Sequence, residues 1–152
     1  MIMLRTLLVI ILVFIIQTQF FPLWGIRLDL FLLVTVYYGF LYGVRAGVGV
    51  GLGIGLLQDI FSGGLLGINP VGLIICGMLA GYCRRMLLLR YWLIRVLLVF
   101  IFSLLNLLIS LVISQMVYHI RLSGIFADIW LPVCAGNTII AGLIFWIGDR
   151  YE

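Results

Sequence analysis

The residues that could do chemistry in this chain are few and scattered. Among 152 residues there are five carboxylates, one histidine and three cysteines. The most informative group is the run Gln58-Asp59-Ile60-Phe61-Ser62-Gly63-Gly64-Leu65-Leu66-Gly67-Ile68-Asn69-Pro70. An ionisable group beside an apolar helix is costly to keep and so demands a reason. Asp59 could accept hydrogen bonds from Ser62 and the loop amides and hold a tight turn. It could equally face a partner. Catalysis ranks below both, because no second carboxylate or histidine lies nearby in sequence. Asp29, two residues after Arg27, suits the positive N-terminus of a helix. His119, beside Tyr118, has no carboxylate or cysteine at ligand spacing, and Arg121 and Asp128 read as a solvated ion pair. Cys76, Cys83 and Cys134 are odd in number and form no C-x-x-C, which argues against a disulfide framework or a zinc site. In apolar stretches cysteine behaves as a small hydrophobe. No Ser/His/Asp set, H-E-x-x-H or cofactor fingerprint is present. The expectation is a protein with no catalytic residues, no cofactor and no metal.

Two further constellations carry information. Ser103, Asn106, Ser110 and Ser114 are spaced by three, four and four residues, which places them on one helix face, with Gln115 beside them. A polar stripe of this kind hydrogen-bonds a neighbouring helix, and Asn137 and Thr138 are the candidate partners. Lining a pocket is the alternative. Arg84, Arg85, Arg90 and Arg95, interleaved with Met86–Leu89 and Tyr91-Trp92, form the largest cationic feature. A topology anchor beside anionic lipid accounts for it, and a docking surface for a cytoplasmic partner is the alternative. The single-residue spread of the other arginines gives no footprint for nucleic acid.

The composition says what must position these residues. Apolar residues make up 66% of the chain and charged ones 9%, against roughly 45–50% and 25% in soluble domains. A small soluble domain leaves much of its chain exposed, so this composition excludes one, and it excludes disorder as well. The chain reads as an all-α, polytopic membrane domain over residues 1–152. Six spans are expected: Thr6–Trp24, Leu28–Val44, Ala46–Phe61, Pro70–Cys83, Trp92–Tyr118 and Ile129–Gly148. The first follows Arg5 but is long for a signal peptide and lacks an A-x-A site, so it is read as uncleaved. With the N-terminus inside, Arg5, Arg45, Arg84, Arg85, Arg90, Arg95 and Arg150 are cytoplasmic, and only Arg27 and Arg121 are outside. That bias puts both termini in the cytoplasm. Trp24, Trp92, Trp130 and Trp146 fall at span ends, where amphipathic rings prefer to sit. Asn69-Pro70 reads as an N-cap followed by the first helical residue.

Glycine recurs at positions 39, 43, 47, 51 and 55, with Gly49 and Gly53 between. In the third span Gly47, Gly51 and Gly55 lie within an arc of roughly 80° and Gly49 and Gly53 fall opposite. Small residues let membrane helices approach closely, so this helix is expected to be sandwiched between two others. The helix-packing candidates are Gly47, Gly49, Gly51, Gly53, Gly55 and Asn106.

The segment Asp59-Ile60-Phe61-Ser62-Gly63-Gly64-Leu65-Leu66-Gly67 resembles the D-x-x-S-G-x-x-x-G core of the MreD family, bacterial rod-shape-determining membrane proteins. The likeness extends to Leu28-Asp29-Leu30, the Gly39–Gly55 region, Ala80-Gly81-Tyr82 and Arg84-Arg85, covering about Arg27 to Arg85. The flanking spans match only in length, position and hydrophobicity. Leu28 stands where the family often has proline. The resemblance implies a six-helix bundle similar in fold to the substrate-binding components of energy-coupling-factor vitamin transporters. It also implies a non-enzymatic scaffold of the cell-elongation machinery in the bacterial inner membrane. The partners implied are MreC, the MreB cytoskeleton, a RodA-type glycosyltransferase, a class B penicillin-binding protein and membrane lipid. The candidate partner-facing or structural residues are Asp29, Asp59, Ser62, Gly63, Gly67, Arg84 and Arg85. A transporter substrate-binding component is the alternative function. Such components typically present small residues on the first helix, and Leu7 to Phe21 contains no alanine or glycine.

Overall fold

A computed structural model describes residues 2–17, 28–62, 67–84, 91–118 and 131–151 of the chain. Among these residues the regular structure is helical throughout: α1 (Ile2–Ile15), α2 (Leu30–Tyr42), α3 (Val44–Ser62), α4 (Ile68–Cys83), α5 (Trp92–Tyr118) and α6 (Leu131–Tyr151). Two stretches, Val44–Ser62 and Trp92–Met116, are long and apolar enough to cross a membrane by length and composition. The C-terminal part of the first expected span, Trp24, Trp130 and the segments around residues 63–66, 85–90 and 119–130 lie outside the described residues.

The helix ends explain where the observed elements depart from the expected ones. Asp29 caps α2 by accepting from the Leu32 amide, so the helix starts at Leu30 rather than Leu28. Gly43 ends it with φ 89°, a left-handed backbone that side chains disfavour. Its N–H still bonds the Gly39 carbonyl, and its own carbonyl receives the Gly47 N–H. The same residue therefore closes α2 and opens α3. At 13 residues, α2 is about 20 Å long, whereas α3, with 19 residues, reaches about 28 Å and is longer than the expected Ala46–Phe61. Helix α4 begins at Ile68, so Pro70 sits in the first turn, where a missing N–H costs nothing.

Helices α2, α3 and α4 run antiparallel in sequence order and meet through glycine. A Cβ at Gly47 would collide with the Gly77 carbonyl of α4, and one at Gly39 would stand 2.8 Å from the Ala80 methyl. At Gly51 it would lie 2.7 Å from the Leu73 carbonyl oxygen, and at Gly55 it would collide with Pro70. Gly77 and Gly81 answer from α4, against Gly47 and against Val44 and Gly43. Thus Gly39 and Gly47, on opposite sides of the α2–α3 turn, converge on Gly77. Backbone contact of this kind supplies van der Waals packing where lipid offers no hydrophobic drive between helices.

The other side of α3 corrects the sequence-based expectation. Gly49 and Gly53 are exposed, with no atom within 4 Å of an added Cβ. They are not packing residues within the described chain. Helix α3 presents one face, Gly47, Gly51 and Gly55, to α2 and α4 together, and its opposite face is open.

Helices α5 and α6 pack on each other, with Arg95 lying 5.1 Å over the Phe145 ring. They join the glycine-packed group through Phe40, whose ring is 6.3 Å from Phe102 and 6.1 Å from Phe145. Cys76 Sγ donates to the Phe102 carbonyl at 3.5 Å. Helix α1 reaches both α2 and the end of α3 through Phe14, 6.0 Å from Phe31 and 4.6 Å from Phe61.

Candidate functional site

Two polar centres are built into this apolar bundle, each around one aspartate. Asp59 lies in the last turn of α3, only 2% exposed. Its carboxylate accepts from three donors on the next helix. One oxygen takes the Gly67 amide. The other takes the Asn69 side-chain Nδ2 at 2.7 Å and the Asn69 amide at 3.3 Å. The first turn of a helix leaves its amides without intrahelical acceptors. Gly67, the N-cap residue of α4, has φ 114° and no side chain to offer. Asp59 supplies the acceptor from another helix, and its negative charge suits the positive end of α4. The turn-fixing reading of Asp59 therefore has its geometry, with the donors identified.

Two details differ from the sequence-based expectation. Ser62 Oγ donates to the backbone carbonyl of Asp59 at 3.1 Å, not to its carboxylate, because a residue three positions on faces the carbonyls of the preceding turn. Asn69 is not the N-cap of α4. Its side chain is drawn to the Asp59 carboxylate, a charge-assisted bond stronger than a local cap. Gly63 lies outside the described residues.

The second centre joins three helices. Asp29 Oδ1 accepts the Leu32 amide at 3.1 Å, and Oδ2 accepts Asn106 Nδ2 of α5 at 3.0 Å. The Asp29 amide donates to Asn137 Oδ1 of α6 at 2.9 Å, and Asn137 Nδ2 donates to Ser103 Oγ at 2.6 Å. Asn137 is 0%, Ser103 1% and Asn106 8% exposed. Asn106 Oδ1 is buried without an N–H or O–H donor among the described residues. It lies where a Cβ of Gly72 would be, so it faces that glycine's Cα hydrogen, a weak contact that only glycine permits.

The polar stripe of α5 thus divides. Ser103 and Asn106 enter the network, while Ser110 and Ser114 are half-buried further along and Gln115 is exposed. Asn137 is the expected partner of the stripe. Thr138 is not, since its hydroxyl donates to the Cys134 carbonyl of its own helix at 2.6 Å. Asp29 as the hub was not foreseen. The available signal was the scarcity of polar groups in apolar helices, which obliges those few to find one another. The arrangement secures helix ends and helix contacts. Its carboxylates lie in separate centres, and no group of three potential metal ligands occurs among the described residues.

Arg84 follows the last residue of α4, with its amide bonded to the Ala80 carbonyl at 3.2 Å. Arg85 lies outside the described residues. Cys76 and Cys134 are buried free thiols and Cys83 is half-buried.

Fold and site together define, among the described residues, a bundle of apolar helices whose internal polar groups organise helix ends and contacts. Residues 1–148 match the family described as rod shape-determining protein MreD, and the chain belongs to that family. No curated protein and no solved structure gives a match to this chain.

Proposed function

We propose that the chain is a non-enzymatic, multi-pass scaffold of the cell-elongation complex in the bacterial inner membrane. Both termini lie in the cytoplasm, and the scaffold holds MreC beside the peptidoglycan-synthesising enzymes. MreB, a RodA-type glycosyltransferase and a class B penicillin-binding protein belong to the same assembly. The observation that carries this reading is family membership over residues 1–148. The geometry supports it, since Asp29 and Asp59 bond to helix ends and neighbouring helices. The open Gly49–Gly53 side of α3, flanked by exposed Leu52 and Leu56, is the side we assign to a partner's transmembrane segment, because small residues admit a close helix. No observation favours the transporter alternative.

The test is mild crosslinking of the tagged full chain in its native membranes, followed by purification and identification of co-purifying proteins. Recovery of a single-span coiled-coil protein with RodA-type or penicillin-binding partners is expected. Gly53→Leu should reduce that recovery while leaving the amount of folded chain unchanged. Recovery of paired ATPases with a transporter subunit would replace the scaffold with a solute-binding component.

A further inference from the structure

The end of the bundle opposite Asp29 and Asp59 carries a cleft of about 460 Å³ lined by Tyr42, Gly43, Val44, Arg45, Gly81 and Arg84. Three antiparallel helices create it, at the end of α2, the start of α3 and the end of α4. Its size lies within the range of small-ligand sites. Two arginines line it from different parts of the bundle, Arg45 in α3 and Arg84 just beyond α4. Arg84 Nη1 lies 3.3 Å from where a Cβ of Gly43 would stand. The missing side chain at that residue, whose backbone is left-handed, lets the charge settle against the turn. Arg45 is exposed in the first turn of α3, whose leading amides have no intrahelical acceptor. Asp29 and Asp59, the carboxylates with described side chains, lie at the other end of these helices and bond elsewhere. Placement of Arg84 at a helix C-terminus accounts for one cation. The cytoplasmic bias of the arginines puts a second one at this end, and neither effect requires the two to line one cleft, as they do. Exposed Tyr42, Tyr82 and Trp92 mark the same end, and such rings sit at the headgroup level of a bilayer.

We infer that this cleft binds a phosphate group, with Arg45 and Arg84 as the ligands. Guanidinium forks match phosphate oxygens in pairs. The phosphate arrives either on a phospholipid headgroup or on a free phosphorylated solute. The inference rests on the membrane placement of the chain and not on the identity of its protein partners, so failure of the crosslinking experiment leaves it standing.

The test uses the full chain in a maltoside detergent, which carries no phosphate, with phosphatidylglycerol or phosphate-free diacylglycerol added, read by native mass spectrometry for retained lipid. Glycerol phosphate and inorganic phosphate are added as competitors. Retention of one phosphatidylglycerol is expected, falling roughly thirtyfold in affinity in Arg45→Gln/Arg84→Gln, at about tenfold per 1.4 kcal/mol and about 1 kcal/mol per basic residue. Arg45→Lys/Arg84→Lys keeps the charge but loses the fork, and should lose part of that affinity. Melting temperatures in the detergent without added lipid establish that the variants are folded. Binding of the soluble phosphates to wild type and not to the glutamine variant would support the site and make a free solute its source. Unchanged lipid retention in the glutamine variant would overturn it. So would full retention in the lysine variant, which would mean surface attraction without a site.

Discussion

Three donors converge on the Asp59 carboxylate, so a substitution there is measured by how many it leaves stranded. Alanine strands the Gly67 amide and both Asn69 donors. Unsatisfied buried donors cost roughly 1–3 kcal/mol each, less where water can reach a helix end. Asp59→Ala should therefore lower stability by about 2–3 kcal/mol. Asp59→Asn keeps one acceptor and turns an amide group toward a donor, so it should fall between alanine and wild type. Thermal unfolding in detergent, followed by loss of the monodisperse species, would show this order. Equal melting temperatures for all three would mean that the cap of α4 does not depend on Asp59. The importance of Asp59 was legible because a charge in apolar surroundings must be explained. The role of Asn69 was misleading, because its local preference for an N-cap is real and only the folded chain brings Asp59 within reach to outcompete it.

At the scale of the element, α3 contains two sets of glycines that are alike in sequence and opposite in environment. Gly51 touches the α4 backbone, with the Leu73 carbonyl oxygen 2.7 Å from an added Cβ, whereas Gly53, two residues on, meets nothing. Gly51→Ala must push two backbones apart and should destabilise by roughly 1–3 kcal/mol. Gly53→Ala relieves the entropy of a helical glycine without a clash and should stabilise by about 0.5–1 kcal/mol. The pair can be read in one denaturation experiment on the purified chain, and loss of stability in both would contradict the open face of α3. Periodicity revealed that α3 is smooth on two sides. It could not reveal that only one side has a neighbour within the chain, because smoothness is a property of one helix and contact a property of two. The helix ends were similarly half-legible. Gly43 was visible as part of a glycine series, but its left-handed φ of 89°, which shortens α2 and lengthens α3, depends on α4 closing over the turn.

At the scale of the whole molecule helices α2–α6 form two packed groups, α2–α4 through glycine and α5–α6 through apolar side chains and the Asn137–Ser103 bond, tied by Phe40 and by Asp29, which bonds both Asn106 and Asn137. The antiparallel order of α2, α3 and α4 then fixes which residues share an end. Asp29, Ser62 and Gly67 lie at one end, and Tyr42, Arg45 and Arg84 at the other. In the proposed topology the second end is cytoplasmic, as the arginine count suggests, and the helix packing adds a constraint that the count lacks: the ends cannot be reassigned one loop at a time. Inverting the Tyr42 end inverts the Ser62 end as well. Cysteine labelling with a membrane-impermeant maleimide tests this in a Cys83→Ser background, where the remaining native thiols, Cys76 and Cys134, are buried. Ser62→Cys, exposed at the end of α3, should react in cells whose periplasm is open to the reagent. Tyr42→Cys, exposed at the end of α2, should react only after the inner membrane is broken. The opposite pattern would place both termini outside and move the arginine cleft to the outer leaflet. Reaction of both before the inner membrane is broken would mean that α3 does not cross it, and would remove the basis for a scaffold built around that helix.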